Sequence, residues 1–106
     1  MTRTLEFIVE GQRLKKDPNC SFSGIVAGSK GYLDCHFTFS SEWKGVAKAV
    51  IFTDGNQELY EPLKFDKCKV PDAITDSSRI HIQVAGKDGA TFLRTNEAVI
   101  LQKKGR

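Results

Sequence analysis

The chain lacks most of the features on which function assignments are usually built. No run approaches the roughly twenty apolar residues of a membrane span, and Met1-Thr2-Arg3-Thr4 leads into a strand-like pattern rather than a signal peptide. A membrane partner is therefore not expected, and synthesis and residence in a cytosol are. There is no G-x-S-x-G, no glycine-rich phosphate loop and no H-E-x-x-H, and carboxylates such as Glu58 and Glu61 read as ordinary surface charge beside a turn. The three cysteines, Cys20, Cys35 and Cys68, are odd in number and follow no repeated spacing, so they read as free thiols rather than a disulfide framework. With neither a C-x-x-C nor an H-x-x-x-H pair to anchor ligands locally, no metal, no cofactor and no catalytic residue is expected. The reading is a protein that is not an enzyme.

Excess charge is scarce too, once it is located. The 106 residues carry 16 Lys and Arg against 13 Asp and Glu, a net +3. Three of the basic residues, Lys103, Lys104 and Arg106, lie in the last four positions, which leaves the body balanced. A dedicated nucleic-acid binder gathers basic residues on one face, because phosphate neutralisation supplies most of its affinity. The only other basic cluster, Arg13, Lys15 and Lys16, is followed by Asp17 and reads as a solvated loop. No nucleic-acid partner is expected. The length suits a single domain, residues 1–102, with a basic C-terminal tail over 103–106.

What is present is alternation. Leu33, Cys35, Phe37 and Phe39 are apolar at two-residue spacing with Asp34, His36 and Thr38 between them, the period of a strand with one buried face. Leu5, Phe7 and Val9 repeat the pattern, as do Ile80, Ile82 and Val84 around His81 and Gln83. Val46 to Phe52 is nearly all apolar and predicts a strand in the middle of a sheet, closed by the hairpin signal Asp54-Gly55-Asn56. Leu59 to Phe65 is its expected partner, with Pro62 marking an edge or a bulge. Pro71-Asp72-Ala73-Ile74 suits one helical turn, and Ala98 to Leu101 a last strand. Asp17 to Gly31, rich in Pro, Asn, Ser and Gly, is expected as a long connection holding at most one short strand.

About seven to nine short strands, with turns every eight to twelve residues, predict an all-β protein. The expected architecture is an immunoglobulin-like antiparallel β-sandwich. Its core would hold Phe7, Leu33, Phe37, Phe39, Val50, Phe52, Ile82 and Val84. Trp43, the only tryptophan, sits in the polar corner Ser40 to Gly45 and would cap the end of that core. The phases place Cys35 on an apolar face and His81 on a polar one, so the two are not expected to form a nucleophilic dyad.

The order Gly31-Tyr32-Leu33, Phe37-x-Phe39-Ser40, Glu42-Trp43, Val50-x-Phe52, Asp66-x-Cys68-x-Val70-Pro71, Ile82-x-Val84-x-Gly86 and Thr95-Asn96 resembles a family of short structural proteins encoded in the virion gene clusters of tailed bacteriophages of Gram-positive bacteria. It is similar to the amino-terminal immunoglobulin-like module of baseplate upper proteins and related tail-fibre proteins, over about residues 4–102. The resemblance implies assembly rather than chemistry: a head decoration, adaptor, baseplate or tail-fibre component, resident in the virion and made in the host bacterial cytoplasm. The chain ends directly after this module, which favours a standalone decoration or adaptor subunit over a host-receptor binder.

The leading expectation is thus a virion structural protein acting through protein–protein contacts, either docking onto other virion proteins or self-association. Two alternatives stay open. A carbohydrate-binding module would require Tyr32, Tyr60 and Trp43 to lie exposed on one surface. A small phage-encoded inhibitor of a host protein has no distinguishing sequence feature. For the partner contact, unprotected strand edges are the natural candidates: the segment Ser23 to Gly31, or the terminal strand Ala98, Val99, Ile100 and Leu101, fastened by Lys103, Lys104 and Arg106.

Overall fold

The computed structural model describes residues 1–104, so Arg106 of the expected tail lies outside the described residues. Among the described residues nine strands form: β1 (Arg3–Glu10), β2 (Arg13–Lys16), β3 (Leu33–Phe39), β4 (Ala47–Thr53), β5 (Glu58–Pro62), β6 (Lys67–Lys69), β7 (Arg79–Asp88), β8 (Thr91–Arg94) and β9 (Ala98–Leu101). They build two sheets. The first has the order β2-β1-β3-β6; in the second, β5-β4-β7 continues into β8, and β9 pairs with β7 beside it. The protein is an all-β sandwich of short strands. Among the described residues no helix is long and apolar enough to cross a membrane.

Alternation explains which side of each sheet is buried. Leu5, Phe7, Val9, Leu33, Cys35 and Phe37 from the first sheet meet Val50, Phe52, Ile80, Ile82, Val84 and Ile100 from the second in one core. Rings of Phe22, Phe7, Phe37, Phe39 and Trp43 succeed one another at centroid spacings of 5.1 to 6.1 Å, an aromatic file running from the long connection to the corner. Seven of the eight expected core residues are fully buried. Phe39 is only half-buried because it is the last residue of β3; its ring lies against Trp43 on one side and under the Lys48 ammonium on the other.

Four local expectations are corrected. The pairing of β1 with β3 is parallel, from Arg3 opposite Leu33 to Val9 opposite Phe39, while the other pairs of named strands are antiparallel. The antiparallel β2 returns the chain towards the end of the sheet where β1 begins, and the connection over 17–32 carries it across β1 so that β3 starts beside Arg3 as a parallel neighbour. Arg13, Lys15 and Lys16 belong to the edge strand β2 rather than to a loop, held by the buried Leu14. The partner strand of β4 stops at Pro62, and Phe65 occupies a turn. Lys103, counted with the tail, joins the fold: its N–H donates to Ile25 O and its carbonyl accepts from Ala27 N–H, both at 2.8 Å. The helical turn after Pro71 forms at Asp72–Ile74, and Pro62 does lie on an edge strand.

Candidate functional site

Trp43 ends a short 3-10 turn, Ser41–Trp43, and is 1% exposed; its indole N–H donates to Gly11 O at 2.7 Å. Tyr32 lies just before β3 in the first sheet, whereas Tyr60 lies on β5 of the second. The three aromatics that a sugar platform would need therefore do not share an exposed surface. The histidines face away from the core: His36 bonds Glu6 across β1 and β3 at 2.6 Å, and His81 approaches Glu97 at 3.3 Å. Cys35 lies in the core of the first sheet, directly opposite Cys68 of β6, so it does not meet His81. The hydrogen bond to Cys68, together with burial and the nearby Asp34 charge, raises the Cys35 thiol well above its ordinary range, which keeps it protonated and a poor nucleophile.

The strand expected to carry a partner contact has one satisfied edge and one open edge. The N–H of Gln102 donates to Ser78 O at 2.8 Å, in the same register that pairs Ile100 with Ile80 and Ala98 with Ile82. Because bonded pairs alternate in an antiparallel ladder, Ile100 and Ala98 spend their backbone groups on β7, while Val99 and Leu101 direct theirs outward. The next outward residue in the series is Lys103, and it is the one that bonds to Ile25 and Ala27. Gly24, at φ +72, turns the chain away before that pairing can extend back to Leu101.

A groove of about 310 Å³ results, lined by Phe22 to Ile25 and by Leu101 to Lys103. Leu101 is 55% exposed, and Ile100 is buried in the core. Gln102 is buried and donates through Nε2 to Thr75 O and Ser77 O, yet its Oε1 is the one buried side-chain polar atom among the described residues without a partner. Of the two stretches singled out from sequence, Ser23 to Gly31 contributes Ser23, Gly24 and Ile25 to this groove, and Ala98 to Leu101 contributes Leu101 alone. Lys104 is exposed beyond it.

Sequence reasoning missed a second surface. On the outer face of the second sheet, Ala47, Ala49, Ala85 and Gly86 floor a groove of about 220 Å³, with the exposed rings of Tyr60 and Phe92 as its walls. The alternation of small residues at 47 and 49 was visible in the sequence; that Ala49 lies opposite Ala85 across two strands was not.

Compared with protein-family models, with curated proteins and with solved structures, the chain finds no match in any of the three.

Proposed function

We propose that the protein is a non-enzymatic structural subunit of a tailed-phage virion, working through protein–protein contacts at the open edge of β9. The observation that carries the reading is the pair of outward backbone faces at Val99 and Leu101, the second bordering the groove, in a strand whose continuation at Lys103 already accepts one neighbouring segment. A strand edge of this kind binds an extended segment through main-chain hydrogen bonds, with side-chain pockets supplying specificity. The virion assignment itself rests on the order and spacing of motifs.

Mass spectrometry of purified virions of the encoding phage tests the location, and Val99→Pro tests the edge. The Val99 N–H points away from β7, so proline there removes an outward donor without breaking the ladder that holds β9. The expected result is a folded variant with unchanged far-UV circular dichroism that no longer enters virions. Normal incorporation of folded Val99→Pro would place the contact elsewhere, and absence of the wild-type chain from virions would remove the virion reading.

A further inference from the structure

The turn between β5 and β6 is built against its own residue preferences. Lys64 N–H donates to Lys67 O at 3.0 Å and Lys67 N–H to Lys64 O at 3.1 Å, closing a two-residue hairpin turn. Its central residues, Phe65 and Asp66, have φ of +54 and +60. Turns of this type favour Asn-Gly, and a bulky aromatic residue in left-handed backbone is uncommon and strained. The Phe65 ring is also 91% exposed. Folding gains nothing from a phenyl group at this position, since the backbone is strained and the ring remains in water.

The same molecule carries a recess suited to such a ring. The groove between Tyr60 and Phe92 has room for one aromatic side chain, and its alanine floor lets a ring come close to the sheet. Apart from backbone, its polar lining consists of Lys48, Lys87 and the Tyr60 hydroxyl, and that hydroxyl already donates to Glu58 at 2.9 Å. A sugar would find few fixed partners for its hydroxyls there, whereas an apolar ring needs none.

Charge is complementary as well. Lys64 and Asp66 flank the ring, and Lys87 and Asp88 stand beside the groove where Phe92 pairs with Lys87. None of these four has an ion-pair partner among the described residues. Ring and groove are also neighbours: Pro62, opposite Ala49 of the floor, precedes Lys64 by two positions, and Lys48 borders both the groove and the hollow lined by Asp66.

We propose that Phe65 anchors a two-fold dimer in which the ring of each copy seats between Tyr60 and Phe92 of the other. A knob and a recess on one edge of a molecule can satisfy each other reciprocally about a two-fold axis, giving a closed pair rather than a filament. Asp66 then meets Lys87, and Lys64 meets Asp88. Pro62 interrupts hydrogen-bond donation along the β5 edge, so side chains rather than strand pairing hold the two copies together. The dimer is independent of the β9 edge and of residence in a virion.

Sedimentation equilibrium of the full chain over a wide concentration series tests the proposal. The wild type is expected to dimerise. Phe65→Gly removes the ring and suits the left-handed backbone, so it should raise the dissociation constant by more than about tenfold while leaving the melting temperature equal or higher. Ala49→Glu, which fills the recess from the other side, should have the same effect on association. Lys87→Asp should weaken the dimer, and adding Asp66→Lys should restore it. A wild type that stays monomeric throughout, a dimer indifferent to Phe65→Gly, or one lost in Phe65→Gly but kept in Ala49→Glu would each overturn the proposal. Saturable binding of an oligosaccharide by a monomer, competing with no self-association, would do so too.

Discussion

The indole of Trp43 is gripped from two directions. Its N–H bonds to Gly11 O across the corner, and its six-membered ring lies against Gly86 of β7 so closely that a Cβ there would stand 2.6 Å from Trp43 Cζ3 and 2.6 Å from Val46 Cγ1. Glycine in the interior of a strand is otherwise unfavourable, and here the close approach of the ring requires it. Gly86→Ala is expected to destabilise by about 1–3 kcal/mol through overpacking, and Trp43→Ala by about 3–5 kcal/mol through loss of a large buried ring. Combining Gly86→Ala with Trp43→Phe should be less costly than the sum of the two, because the shorter ring leaves room for the methyl; chemical denaturation of the three variants checks this. Strictly additive losses would show that the clash is relieved elsewhere. Trp43 was legible as a corner residue because a lone tryptophan between two apolar runs has nowhere else to pack. Phe65 was not legible: an apolar residue after Leu63 reads as strand, and only backbone geometry reveals a left-handed turn that contains no glycine or asparagine.

At the level of elements, the edge strand β2 is completed by a side chain. Leu14 N–H donates to Asn96 Oδ1 at 2.8 Å, and Asn96 Nδ2 donates to Leu14 O at 3.0 Å, so one amide stands in for a neighbouring strand and ties β2 to the link between β8 and β9. The preceding Thr95 accepts the Val84 N–H through its hydroxyl. The Thr95-Asn96 pair therefore stitches the second sheet to the first. Asn96→Ala should cost about 1–3 kcal/mol, since it strips partners from backbone groups flanking a buried Leu14, and should speed hydrogen exchange at the Leu14 amide. Unchanged protection at Leu14 would argue against the stitch. The sequence supplied the dipeptide but not its target, 82 residues away along the chain. It also could not supply the parallel sense of β1 and β3, because two-residue periodicity specifies a face and is silent on strand direction.

One carboxylate on the inner strand β3 and one in the turn after β4 give the elements a common acid limit. Partial burial alone would raise Asp34, but hydrogen bonds from Lys69 and Thr2 and the charges of Lys69 and Lys67 outweigh it and hold the carboxyl below its ordinary 3.8. Asp54 is lowered by backbone N–H donors from Asn56 and Gln57, with the Ser77 hydroxyl assisting. A carboxyl depressed in the folded state contributes stability above its unfolded pKa and loses it as pH falls through the lowered folded value. Through these two groups the melting temperature should therefore not vary with pH near neutrality, where their contribution is fully present, and should fall below about pH 4. Asp34→Asn and Asp54→Asn should each flatten that acid limb; parallel limbs in wild type and variants would assign it to other groups.

Across the whole molecule, closure depends on where the chain leaves the sandwich. Gln102 is 7% exposed and donates to Thr75 O, Ser77 O and Ser78 O, fixing the segment after the Asp72–Ile74 turn. Lys103 fixes the long connection through Ile25 and Ala27, and with it the buried Ile25. These two residues hold together segments outside the named strands, Lys103 through its backbone and Gln102 through its backbone N–H and its side-chain amide. Lys103 reads in the sequence as the start of a basic tail and Gln102 as the last residue of the domain, since composition reports charge and not main-chain pairing. A truncation series separates the two readings. Removing residues 104–106 should leave the melting temperature unchanged, removing 103–106 should loosen the Ile25 segment and speed exchange at Ala27, and removing 102–106 should lower the melting temperature of the whole domain. The last step should be the largest, because it leaves the carbonyls of the buried Thr75, of the half-buried Ser77 and of Ser78 without their donor. If all three truncations melt alike, the tail begins at Gln102 and the sandwich closes without it.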